Sequence, residues 1–257
     1  MKRRTYYYSS YSDDFGITEN VKKTIVGDDY KYNPSNLFSF LWYYLIAMPL
    51  AFIIMKISFH YKFINKKIIK ELKKTGFYVY ANHTNFVGDA LMPSLLQYKR
   101  NNIIVRSDTV SITGIKHLVK DLGALPLGDT YKASKNLLKE MKKRIEKKES
   151  ITIYPEAHIW PYYTGIRPFS SSCMKYPIMM GVPSIAMTTC YQKRRFGNKP
   201  KMVVYLDGPF YPDLELPAKE REEKLADDIH AALKTRTMQY STYSVNEYIY
   251  KPKEESK

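Results

Sequence analysis

Nineteen consecutive residues, Leu37 to Met55, carry no charged side chain: LFSFLWYYLIAMPLAFIIM. At 1.5 Å per residue, such a helix measures about 28 Å, close to the hydrocarbon thickness of a bilayer. A soluble protein makes a helix apolar on every face only where it is centrally buried. The run predicts a membrane-associated helix, with a buried core helix as the alternative. Pro49 offers a kink that would divide it into two short helices within one leaflet. The long polar stretch ahead of the run, and the lack of a small-residue cleavage site after it, argue against a cleaved signal peptide.

The charge balance points the same way. Lys and Arg number 41 against 25 Asp and Glu, a net charge of +16. Such an excess implies an anionic partner: nucleic acid, a membrane surface or acidic small molecules. Lys56, Lys62, Lys66, Lys67, Lys70, Lys73 and Lys74 follow the apolar run closely, whereas Lys22, Lys23 and Lys31 are the nearest basic residues before it. Positive residues stay inside, so the part of the chain that follows is expected on the cytoplasmic side. The same lysines suit anionic headgroups, at about 1 kcal/mol each. Two cysteines, Cys173 and Cys190, exclude a disulfide scaffold and a Cys-rich zinc module.

Beyond the run, short apolar strands alternate with amphipathic helices. Strands are predicted over Gly76–Ala81, Asn102–Arg106, Ala124–Leu127, Ser150–Tyr154, Val182–Tyr191 and Met202–Leu206. Helices are predicted over Asp89–Tyr98, Ser111–Asp121, Lys132–Lys148, Ser171–Met180 and Ala218–Thr235. This order predicts an α/β fold, a mainly parallel sheet covered by helices on both faces, preceded by the hydrophobic membrane-associated segment. The expected organisation is a polar N-terminal tail over 1–36 and a membrane segment with a basic juxtamembrane helix over 37–75. An α/β domain over 76–240 and a polar tail over 241–257 complete it.

In sheets of this kind the chemistry gathers at the carboxyl ends of the strands. Two polar clusters stand there: Asn82-His83-Thr84 after GFYVYA, and Pro155-Glu156-Ala157-His158 after SITIY. With two further segments they resemble the glycerolipid acyltransferase family, whose best-known members acylate lysophosphatidate. ANHTNFVGD (Ala81–Asp89) stands for the family's N-H-x-x-x-x-D, and GALPL (Gly123–Leu127) for its G-x-x-[FI]-[IV]-D-R. YPEAHIW (Tyr154–Trp160) stands for F-P-E-G-T-R-S, and VPSIAM (Val182–Met187) resembles the closing strand motif. The likeness runs from about Gly76 to Leu206.

The departures are specific. His83 and Asp89 enclose one residue more than the family motif, and Gly88 is the expected site of a bulge that absorbs it. Gly128 and Asp129 stand where the second motif has Asp-Arg, and Ile159 replaces the arginine of the third. The resemblance implies that those arginines hold the acceptor's phosphate, so Arg106 and Arg167, both near strand ends, are the expected substitutes.

The resemblance implies transfer of an acyl group from a thioester to a hydroxyl. A neutral imidazole takes the hydroxyl proton as the oxygen attacks, and a carboxylate behind the ring fixes its tautomer. His83 is the expected base and Asp89 its orienter. The N–H groups after His83 are candidates to meet the developing oxyanion, and Asn82 and Thr84, on either side of His83, are expected to bind substrate. Glu156 is placed to bind the acceptor. The expected donor is acyl-CoA or acyl carrier protein, and the acceptor a lysophospholipid, lysophosphatidate first. No cofactor, metal or nucleic acid is expected. His158 reads as a structural histidine, and both cysteines as buried, inert thiols. The weighed alternatives are an inactive membrane-bound scaffold, a metal hydrolase using His83, Asp89, Glu156 and His158, and a nucleic-acid binder.

Overall fold

The computed structural model describes residues 3–16, 25–32, 37–107, 109 and 122–252. The elements run β1 (Thr5–Tyr8), α1 (Leu37–Phe59), β2 (Lys62–Ile64), α2 (Lys67–Glu71), β3 (Phe77–Ala81) and α3 (Phe86–Leu91, continuing as a 3₁₀ turn over Met92–Leu95). Then come β4 (Asn101–Val105), β5 (Ala124–Pro126), α4 (Tyr131–Glu146), β6 (Ser150–Ile153) and α5 (Lys175–Met180). The chain closes with β7 (Ser184–Gln192), β8 (Lys201–Phe210), α6 (Ala218–Tyr240) and β9 (Glu247–Tyr250). The predicted helix over Ser111–Asp121 lies outside the described residues.

Seven strands form one sheet in the order β2-β8-β7-β3-β6-β4-β5. Its pairings are parallel except β7 with β8. That exception follows from chain length: the link from Gln192 to Lys201 is too short for the dozen or more residues a parallel crossover requires. β3 shows why both faces are covered. Phe77, Val79 and Ala81 join a core with Ile68 and Ile69 of α2, Leu72 just after it, and Met92 and Leu95 of the turn that continues α3. Tyr78 and Tyr80 point the other way, into a core with Leu137, Met141 and Ile145 of α4 and Leu225, Ile229 and Leu233 of α6. The expected α/β architecture is the observed one.

The apolar run forms a single helix to Phe59 rather than two short ones. A π-type stretch over Tyr43–Ala47 precedes Pro49 and a second over Met55–Phe59 ends the helix. The wider turn accommodates the missing N–H and bulk of proline without a break. Ser39, Tyr43, Ala47, Ala51 and Met55, spaced by four, are buried on one stripe. Arg100 fastens its start, donating to the carbonyl and hydroxyl of Ser39 at 3.1 Å each, with its guanidinium over the Tyr43 ring. Leu37, Phe38, Leu45, Ile46, Leu50, Phe52, Ile53 and Ile57 remain exposed. Within the stretch read as a basic juxtamembrane helix, Lys62–Ile64 instead forms edge strand β2 against β8.

The end segments, both read as polar tails, pair with each other. β1 and β9 form a parallel two-stranded sheet, Thr5 opposite Glu247 and Tyr8 opposite Tyr250. Its tyrosines pack about Trp160, which explains part of the chain's unusual tyrosine content.

Candidate active site

The end of β3 and the end of β6 are neighbours, because the two strands pair directly. This places His83 beside the Glu156 segment. His83 Nδ1 lies 2.8 Å from Asp89 Oδ2. The same carboxylate oxygen accepts the N–H of Thr84 at 2.8 Å and of Asn85 at 2.9 Å. With Oδ2 as the acceptor in this contact, Nδ1 is the ring's donor and Nε2 presents its lone pair. Among the described residues no group bonds Nε2. The imidazole is 24% exposed and Asp89 only 5%. The ring stacks on Tyr154 with centroids 4.6 Å apart, and the Tyr154 hydroxyl donates to the Asp89 carbonyl at 2.6 Å. Burial and the Asp89 charge push the Tyr154 phenol well above its ordinary range, so it stays a donor.

Gly88 forms no bulge and lies within the first turn of α3. Asn85 caps α3 in an extended conformation and its side chain accepts the Gly88 N–H at 2.7 Å. The Asp89 N–H donates to the Asn85 carbonyl at 2.8 Å, as in an ordinary helical turn. Gly88 sits close to its neighbours: a Cβ there would stand 2.9 Å from the flexible end of Met202 and 3.1 Å from Asn85 Oδ1.

Several expected substrate-facing groups are occupied within the protein. Asn82 is buried and pins β3 to β7, with its amide exchanging two hydrogen bonds with the Thr189 main chain. The Thr84 hydroxyl meets that of Tyr191 at 2.9 Å in the interior. The Thr84 and Asn85 N–H groups, expected to face an oxyanion, point at Asp89. Glu156 spends its carboxylate on three donors: the His83 N–H at 2.8 Å, the Arg167 N–H at 2.7 Å and Arg167 Nη2 at 3.3 Å. It stands next to the site but grips the main chain.

Arg167 differs most from its expected role. It is 1% exposed, pairs with Glu156, donates to the carbonyls of His158 and Tyr11, and lies over the Trp160 ring. Ile159, at the family's arginine position, is buried. Arg106 follows β4 at the same end of the sheet, is 43% exposed, and pairs with Asp14 at 3.3 Å. His158 pairs with the same carboxylate at 3.1 Å, as a structural histidine would. No set of three or more potential ligand residues gathers for a metal among the described residues. Burial pushes the thiols of Cys173 and Cys190 up to about 12, which fits inert cysteines.

Sequence reasoning missed Tyr154, Tyr191 and Trp160 as parts of this site. The position of Tyr154 at the end of a strand aligned with GFYVYA is the one signal that pointed to it.

Comparison with known proteins supplies the family. A likeness in structure links the chain to the 1-acyl-sn-glycerophosphate (LPA) acyltransferase PlsC of Thermotoga maritima. The TM-score is 0.45 at 14% identity, over 80% of this chain and 98% of that one. No curated protein sequence matches the chain. The acyltransferase family model matches residues 60–190, half of the chain, and its span takes in His83, Asp89 and Glu156. The chain belongs to the acyltransferase family.

Proposed function

We propose that the protein is a membrane-associated O-acyltransferase that moves a fatty acyl group from acyl-CoA or acyl carrier protein to the hydroxyl of a lysophospholipid, lysophosphatidate first. The observation that carries this reading is the His83–Asp89 contact of 2.8 Å, with Nε2 turned away from the carboxylate and the ring partly open to solvent. In the reaction, Nε2 accepts the acceptor's hydroxyl proton as its oxygen attacks the thioester carbonyl. The carbon–sulfur bond then breaks, and the imidazolium returns the proton to the departing thiolate. The substrate hydroxyl occupies the role of the serine in a Ser-His-Asp triad, so no acyl-enzyme forms. Asp89 holds the tautomer and offsets the charge that develops on the ring. Glu156, Asn82 and Thr84 shape the site from behind, and Arg106 is the arginine left to meet an acceptor phosphate once Asp14 yields.

The catalytic domain, which takes in β2 and α2 as well as residues 76–240, is attached through α1. Docking of α1 along its whole length supports a helix lying beside the domain, its outer face in one leaflet. The end of α1 packs on α3, which follows His83 directly. Lys56, Lys62, Lys66, Lys67, Lys70, Lys73 and Lys74 are exposed nearby and suit anionic headgroups on the cytoplasmic side.

The test is acylation of a lysolipid panel by the purified protein, with labelled acyl-CoA or acyl carrier protein as donor and product identification by mass spectrometry. Formation of phosphatidate from lysophosphatidate supports the reading. Failure to acylate any acceptor with either donor removes it and favours a scaffold.

A further inference from the structure

His83 is held by its main chain from both sides. Its N–H donates to Glu156 Oε2 at 2.8 Å, and its carbonyl accepts the Trp160 N–H at 3.1 Å. Both partners lie on the irregular segment after β6. Segments without a ladder of their own are ordinarily the mobile parts of a fold. Here the two ends of the chain pack onto that segment.

Trp160 is fully buried. Its Nε1 donates to the Asp13 carbonyl at 2.7 Å, and its ring stacks on Tyr248 with centroids 4.9 Å apart and planes 6° apart. Tyr8 and Phe15 close on the same indole at 4.7 and 5.4 Å. The next carbonyl, that of Pro161, accepts Asn246 Nδ2 and the Tyr248 hydroxyl, each at 2.8 Å. Glu156, the other anchor, is fixed by Arg167, whose Nη1 reaches the Tyr11 carbonyl at 3.3 Å. Each grip on the His83 main chain therefore connects to the N-terminal segment, and one of them to the C-terminal segment as well.

We propose that the paired chain ends, β1 and β9 closed around Trp160, are a positioning device for His83, and that Tyr248 and Asn246 are positioning residues for the acyl transfer although neither contacts the histidine. The inference rests on His83 being the base. A base held in its productive pose gains the advantage of orientation, and a misplacement of about 1 Å costs on the order of 10²-fold in rate. Loosening the clasp frees the Trp160 segment to shift, and the His83 main chain shifts with it. Arg106, the arginine proposed for the acceptor phosphate, follows β4 and meets the N-terminal segment at the surface through Asp14, so the loss is expected chiefly in kcat.

The experiment compares Tyr248→Ala, Tyr248→Phe and Asn246→Ala in the full-length protein. It reads kcat, acceptor KM and the low-field proton resonance of the His83 Nδ1–H···Asp89 hydrogen bond. Tyr248→Ala is expected to lower kcat by about tenfold or more with KM unchanged, and to broaden or move the proton resonance. Tyr248→Phe keeps the stack on Trp160 and is expected to recover most of that loss. Asn246→Ala removes two hydrogen bonds, to the Pro161 carbonyl at 2.8 Å and from the Arg4 N–H at 3.3 Å, and decides by the same readouts if Tyr248→Ala does not fold. A folded Tyr248→Ala or Asn246→Ala variant with wild-type kcat and an unmoved resonance overturns the proposal. So does a rise in KM at constant kcat, which would make the clasp a wall of the acceptor site. A wild-type protein that transfers no acyl group defeats the assigned reaction, while the resonance still reports whether the clasp positions His83.

Discussion

Asp89 Oδ2 stands 2.8 Å from His83 Nδ1 although the two residues are six positions apart in the chain. The contact depends on a capped turn: Asn85 closes the start of α3 through Gly88, and the Asp89 carboxylate gathers the Thr84 and Asn85 N–H groups in front of it. One oxygen thereby orders the loop and the ring together.

That double duty makes Asp89→Asn a severe change. The amide retains an oxygen for some of these donors but loses the charge that stabilises an imidazolium. Turnover is expected to fall by roughly 10²–10⁴-fold, somewhat less than in His83→Ala. The double variant should be little worse than His83→Ala, because the two act as one unit. Steady-state kinetics of the three variants checks this. Multiplying losses would show that Asp89 works independently of the ring.

Glu156→Gln is expected to act first on stability. It leaves Arg167, 1% exposed, without its counter-charge. Removing one member of a buried pair costs about 3–5 kcal/mol. At roughly 2–4 °C per kcal/mol for a chain of this size, the melting temperature should fall by about 10 °C. Thermal unfolding followed by circular dichroism measures it. A shift below about 2 °C would mean that Arg167 finds another partner.

The exposed face of α1 is expected to hold the protein on lipid. Leu45→Glu, Leu50→Glu and Ile53→Glu place charges on that face without touching the buried stripe. Each should weaken co-flotation with anionic vesicles, and the triple variant should stay in the soluble fraction. Leu214→Glu, at a side chain exposed elsewhere on the fold, serves as the control. Unchanged flotation of the triple variant would assign membrane attachment to another surface.

The sequence made some of this arrangement legible and hid the rest, for physical reasons. The β3 and β6 strands were readable because each is a short apolar run, and the polar residues at their carboxyl ends marked His83, Asp89 and Glu156. The bulge expected at Gly88 does not form, because spacing alone does not reveal that Asn85 caps α3 and leaves Gly88 in a regular helical turn. Arg167 looked available because an arginine near a strand end carries no signal of its burial. Its enclosure depends on Glu156, Trp160 and Tyr11, contacts made only in the folded chain. Pairing of Thr5–Tyr8 with Glu247–Tyr250 was invisible for the same reason: neither segment is apolar enough to announce a strand, and the partner lies at the opposite end of the sequence. The antiparallel β7–β8 pair was read only as part of a mainly parallel sheet, although the short link from Gln192 to Lys201 allows no parallel crossover.

The most direct measurement is the turnover of His83→Ala on acyl-CoA and lysophosphatidate, with folding verified by circular dichroism and donor affinity measured separately. Loss of the base is expected to lower kcat by roughly 10²–10⁴-fold while donor binding stays close to wild type. A folded His83→Ala protein that turns over at near the wild-type rate would contradict the assignment of His83 as the base.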